Sequence, residues 1–159
     1  MESMESRMVK LYARNNNHVA LHAIPGHFAT SHSHINFYID MTSLKTRANE
    51  AQEVAKSLAG DYVNSTVVDT IVCMDGTEVV GAYLAQEFEK RGFRNTNLHN
   101  TIYVVTPEYN ANNQLIFRDN TIPAIKGKNV ILLLATTTTG LTVRRSLECV
   151  QYYGGILRG

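Results

Sequence analysis

Cysteine is scarce in this chain, with Cys73 and Cys149 the only two among 159 residues. Their separation matches no metal-ligand spacing, and each falls in an apolar segment. Two buried, reduced thiols are therefore expected. Long apolar runs are missing as well: none approaches the roughly 20 residues that span a bilayer. The polar start, Met1 to Arg7, lacks the apolar core of a signal peptide. Charge of one sign is nearly absent, and a net charge of +1 gives no electrostatic case for nucleic acid or an anionic membrane. These absences point to a cytoplasmic protein without nucleic-acid or membrane partners. What is present is ordinary for a globular protein, with 44% hydrophobic and 18% charged residues. The length suits one sizeable core and is short for two, so residues 1–159 are expected to form a single domain.

Strands and helices alternate as a parallel α/β sheet requires. The start is poorly patterned, and residues 36–41 then read as a short strand. Thr42 or Ser43 can cap a helix in which Leu44, Ala48, Ala51, Ala55 and Leu58 form one apolar stripe, with Gly60 as its stop. Residues 67–74 are the next strand, and residues 77–91 a helix with Val80, Leu84 and Phe88 on one face. A third strand covers 101–106. The turn at 110–113 is followed by residues 114–118 as the second arm of a hairpin. Residues 129–134 form another strand, a helix runs from Thr142 to Gly154 and Gly155, and Ile156 and Leu157 open a last strand.

The segment 129–142 is the most informative. An apolar run leads into four threonines, Thr136 to Thr139, then Gly140, Leu141 and Thr142 at the start of a helix. Strand, small polar loop and helix in that order gather backbone N–H groups at a helix N-terminus. Such a nest binds phosphate through amide donors and the positive end of the helix dipole. An ordinary strand-to-helix turn rich in threonine fits the spacing equally well.

The same residues carry a family resemblance. An apolar strand, two acidic residues, two variable residues and Thr-Thr-Gly-x-Thr make the phosphoribosyl-pyrophosphate motif of type I phosphoribosyltransferases. Its end resembles Thr138, Thr139, Gly140, Leu141 and Thr142 here, whereas the acidic positions hold Leu134 and Ala135. The resemblance implies a phosphate cradle that is kept and a ribose clamp that is lost. Residues 31–40, Ser-His-Ser-His-Ile-Asn-Phe-Tyr-Ile-Asp, are similar to an N-terminal segment of the orotate phosphoribosyltransferases through Ser31, Asn36, Tyr38, Ile39 and Asp40. The family's orotate-contacting lysine falls on Thr30, and its glycine on His32. Lys126-Gly127-Lys128-Asn129-Val130 resembles the usual lead-in to the motif strand. Together the matches cover the chain from about Phe28 onward. They imply a twisted, mainly parallel sheet with helices on both faces and a short hairpin. They also imply a homodimer, a phosphoribosyl ligand, and a base pocket near Ser31, His32 and His34. Family members normally continue for several dozen residues beyond this point, so a shortened or missing C-terminal end is expected.

The loop with Asp75, Gly76, Thr77 and Glu78 stands where the family binds pyrophosphate. Gly76 suits a tight turn and Thr77 can cap the following helix. Asp75 and Glu78 bring negative charge toward an anion, which costs a few kcal/mol per contact at about 4 Å and an effective dielectric near 20. Either Mg²⁺ bridges carboxylate and phosphate, or no pyrophosphate binds and Glu78 simply favours the helix dipole. The hairpin region 103–123 corresponds to the family's mobile catalytic loop, which is rich in basic residues. Here it holds only Arg118. Neutralising a leaving group is usually the largest catalytic contribution in such chemistry, so its lack argues against efficient orotate turnover. His22, His27, His32 and His34 invite a metal reading, against which stands that of partly exposed polar residues at a pocket mouth. Arg144 and Arg145 open the last helix, where cations are disfavoured, so one of them should have an anionic partner. Two classes remain: a glycosyltransferase of nucleotide metabolism that moves phosphoribose to a nitrogenous base, or a non-catalytic binding or regulatory member of the same family.

Overall fold

The computed structural model describes residues 5–30, 33–62, 67–92 and 101–159. The stretch expected to be poorly patterned forms two strands, which join the strand expected near 36–41 in a three-stranded antiparallel sheet. Its strands are β1 (Val9–Ala13), β2 (Asn16–Ala29) and β3 (His34–Asp40), in the order β1-β2-β3. Cross-strand rows such as Val9–Ala23–Ile39 and Pro25–Phe37 put apolar side chains opposite one another, which stabilises an antiparallel ladder. A bulge between Pro25 and Phe28 interrupts the period of two.

The helix expected from 42 onward is two helices, α1 (Thr42–Thr46) and α2 (Ala48–Tyr62). Arg47 breaks them by adopting an extended backbone at ψ 118°. Gly60 does not stop α2, because the helix runs past it to Tyr62. A Cβ at Gly60 would meet nothing within 4 Å, so the glycine is a tolerated surface position and not a terminus. Of the expected stripe, Leu44, Ala51 and Ala55 are buried and Leu58 is half-buried against the core, whereas Ala48 is exposed and Ala59 is buried in addition.

The main sheet has four parallel strands, β4 (Thr70–Cys73), β5 (Tyr103–Val105), β8 (Asn129–Leu133) and β9 (Ile156–Leu157), in the order β5-β4-β8-β9. Between β4 and β5 lies α3 (Glu78–Gly92), and between β8 and β9 lies α4 (Leu141–Tyr152). The hairpin is present as β6 (Glu108–Tyr109) paired with β7 (Leu115–Ile116). Alternation along β4 sends Ile71 and Cys73 into a core with α2 and α3, and Val72 into a second core with Val130, Cys149 and Val150. Helices thus cover both faces, as the sequence pattern requires. Among the described residues no helix is long and apolar enough to cross a membrane.

Candidate functional site

The strand order fixes where a ligand can sit. From β4 the chain crosses outward to β5, and from β8 it crosses the other way to β9. Parallel crossovers share one hand, so opposite directions place α3 and α4 on opposite faces of the sheet. The crevice between β4 and β8, at their carboxyl ends, is the switch point where open α/β sheets bind ligands. Cys73 and Leu133 are paired there, and the loops that follow them are laced together. The Met74 amide donates to the Leu133 carbonyl at 2.9 Å.

After β8 the chain turns through Gly140, which has φ 76° and ψ 2° and immediately precedes α4. No Cβ clash explains glycine at this position, so its left-handed backbone does. The Arg144 amide donates to the Gly140 carbonyl at 2.9 Å as the first helical bond. The amides of the preceding first turn lack intrahelical acceptors. The Leu141 amide lies 3.4 Å from the Thr139 hydroxyl. Thr136, Thr137, Thr138 and Thr139 are all exposed. An open pocket of about 330 Å³ is lined by Thr139, Gly140, Leu141 and Arg144. Arg144 has the anionic partner expected of one arginine, Glu148, although at 3.6 Å and with both side chains largely exposed. Such a pair contributes little and leaves the guanidinium available to the pocket. Arg145 is exposed.

Leu134 is half-buried and packs against the second core, and Ala135 is half-buried beside it. Neither side chain can accept a hydrogen bond from a ribose hydroxyl.

On the β4 side, Asp75 and Gly76 both have positive φ, 57° and 76°. The Thr77 amide donates to the Met74 carbonyl at 3.2 Å, which closes a type I′ turn. The Thr77 hydroxyl does not cap α3 as a side-chain acceptor. It is buried and donates to the carbonyls of Met74 at 2.8 Å and Leu133 at 3.2 Å, fastening this loop to β8. Glu78, the first residue of α3, accepts from the Thr106 hydroxyl at 3.2 Å just past β5. A residue that sequence reasoning missed completes this loop. Lys45, on α1, donates from Nζ to the Asp75 carbonyl at 2.8 Å. Nothing local to residues 42–46 signals that contact, which spans thirty positions of chain. Asp40 sits behind it, with its carboxylate accepting from the Thr42 amide at 2.9 Å. Hydrogen bonds from Thr42 hold its pKa below the usual carboxylate range, and the charges of His22 and Lys45 add to the effect.

In the hairpin, Arg118 is already paired with Glu108 at 2.6 Å. That hydrogen bond raises its pKa further. Among the base-pocket candidates, Ser31 and His32 lie outside the described residues. His34 is exposed at the start of β3 and meets His27, their ring nitrogens 2.7 Å apart. His27 reaches it from β2 and not from a preceding turn. Among the described residues no group of three His, Cys, Asp or Glu side chains converges on a metal position. Both cysteines are free and buried. Burial raises their pKa values, to about 12 for Cys73 and about 11 for Cys149, so neither is a nucleophile near neutral pH.

No protein-family model and no curated protein sequence matches the chain. Solved structures do. The orotate phosphoribosyltransferase of Mycobacterium tuberculosis H37Rv, in complex with Fe(III) dicitrate, superposes with a TM-score of 0.57 at 14% identity, over 87% of this chain and 74% of that one. The UMP synthase of Leishmania donovani gives 0.60 at 17% identity, over 85% of this chain and 27% of that larger one. The adenine phosphoribosyltransferase of Leishmania donovani gives 0.52 at 18% identity, over 77% of this chain and 56% of that one. Together with the parallel sheet and its two crevice loops, these likenesses show that the chain has the type I phosphoribosyltransferase fold.

Proposed function

We propose that this protein binds the 5′-phosphate of a phosphoribosyl ligand in the loop from Thr138 to Thr142, as a cytoplasmic member of nucleotide metabolism. The observation that carries this reading is the left-handed Gly140 between β8 and α4, which opens the helix beside an open pocket that Thr139, Leu141 and Arg144 also line. Donors of this kind, backed by a helix dipole and a guanidinium, suit a phosphate dianion.

Turnover of orotate is proposed to be weak or absent. The positions of the acidic pair supply no acceptor for the ribose hydroxyls, each such bond being worth about 1.5–3 kcal/mol when charge-assisted. The hairpin offers one guanidinium, already neutralised by Glu108. Lys45 is the cation best placed to meet a pyrophosphate at the Asp75–Gly76 turn. Its ammonium on the Asp75 carbonyl competes with a metal there, and Glu78 is engaged by Thr106. The donor set does not fit a resident Mg²⁺. Such an ion is proposed to arrive, if at all, on the phosphates of the ligand.

Isothermal titration with phosphoribosyl pyrophosphate, ribose 5-phosphate and nucleoside monophosphates, with and without Mg²⁺, tests the reading. Ribose 5-phosphate should bind. Lys45→Met should weaken phosphoribosyl pyrophosphate and leave ribose 5-phosphate unchanged. No heat with any of these ligands would sink the proposal, and robust orotate consumption would overturn its non-catalytic half.

A further inference from the structure

The histidine pair on the N-terminal sheet belongs to neither crevice loop. His27 is one of the two residues of β2 that the bulge sets against a single residue of β3. Ala29 pairs with His34 across the ladder. His27, two residues earlier on the same face as Ala29, is therefore the diagonal neighbour of His34, within reach of a long side chain. Bulges commonly re-aim a side chain in this way. The outcome is that Nε2 of His27 and Nδ1 of His34 converge to 2.7 Å, with the ring centroids 4.8 Å apart and both residues exposed.

We propose that His27 and His34 form a two-imidazole site for a divalent late first-row transition ion such as Zn²⁺ or Cu²⁺. As the rings stand, an N–H of one imidazole donates to the lone pair of the other, and a change of tautomer in the donor ring presents both nitrogens to a metal ion. With metal–nitrogen bonds of about 2.0–2.1 Å, a tetrahedral pair of donors lies about 3.3 Å apart. Exposed side chains reach that separation by small rotations. The two strands hold the backbone fixed, so little order remains to be imposed on binding. Imidazole donors select these ions over Mg²⁺ and Ca²⁺, and Cu²⁺ should bind most tightly. Among the described residues no third side chain closes the site, so the remaining positions are open to water or to a small ligand. The site stands on its own and does not depend on the phosphoribosyl reading.

The test uses the whole chain with Cu²⁺ and Zn²⁺ alone. Equilibrium dialysis should find an ion whose binding survives excess Mg²⁺. The electron paramagnetic resonance spectrum of the Cu²⁺ form should carry coupling to two imidazole nitrogens. Losing even an outer-shell partner of a metal site costs about 10–100-fold in affinity, so His27→Ala and His34→Ala should each weaken binding by about that much or more. Each should also reduce the spectrum to one nitrogen, whereas His18→Ala should change nothing. Both substitutions are at exposed positions, and His34→Gln with an unchanged melting curve guards against a folding artefact. Absence of binding, or affinity and spectrum unchanged in both alanine variants, overturns the proposal.

Discussion

Gly140 bears the largest conformational demand in the phosphate loop, because its φ of 76° is one that side chains with a Cβ rarely adopt. Gly140→Val should cost roughly 1–2 kcal/mol of backbone strain. If the strain falls on the loop, ribose 5-phosphate affinity drops about tenfold, since 1.4 kcal/mol is a factor of ten. Thr139→Ala removes only a hydroxyl and should cost about 1 kcal/mol or less. Titration of both variants checks this ranking, and equal losses would contradict it. Asp40 gives the pH signature. Its folded pKa lies below its unfolded value, so its contribution to stability is present above the ordinary carboxylate range and is lost as pH falls through the folded value. Asp40→Asn should therefore lower the melting temperature at pH 7 and make little difference near pH 2. The threonine loop was legible in the sequence because all of its parts are contiguous. Lys45 was not, because its role exists only once α1 is folded against a turn thirty residues away.

Between elements, the approach of α3 to β4 decides how firmly the second loop is held. A Cβ on Gly81 would overlap Cys73 Sγ and press on Val104, so either the buried cysteine side chain or the elements themselves must shift. Gly81→Ala should destabilise by about 1–3 kcal/mol, in the range of core overpacking. Cys73→Ala removes the obstructing sulfur, so the double variant should recover part of that loss. Urea titrations of the four members of this cycle measure the coupling, and strict additivity would show that the clash is absorbed elsewhere. The main elements from β4 to β9 were readable because apolar runs, turn residues and helical stripes agree along them. Of the N-terminal sheet only β3 was. Its long strand is interrupted by a bulge, and its apolar residues find cross-strand partners that no local period reveals. Arg47 likewise carries no breaker signal, and its extended backbone splits what reads as one helix.

For the whole molecule, the N-terminal sheet bears on assembly. Register places Val9, Leu11, Leu21, Ala23, Phe37 and Ile39 on one face, and no charged residue falls among these rows. Val9, Leu11, Phe37 and Ile39 remain 46–54% exposed, which leaves a contiguous apolar patch. Patches of this kind on a globular protein commonly mark an interaction surface. Two copies stacked face to face, about 10 Å apart as packed sheets are, would cover each other's rows, and a two-fold axis makes the contact self-complementary. A stable dimer needs roughly 800 Å² from each partner. The expected result is a dimer in sedimentation equilibrium at tens of micromolar, shifting to monomer in Phe37→Asp. That substitution puts a charge on an exposed strand position, so the monomer should keep its fold and its melting curve. A wild-type monomer at that concentration would exclude the assembly. A dimer unaffected by Phe37→Asp would place the interface on another surface and leave the apolar face to a different partner.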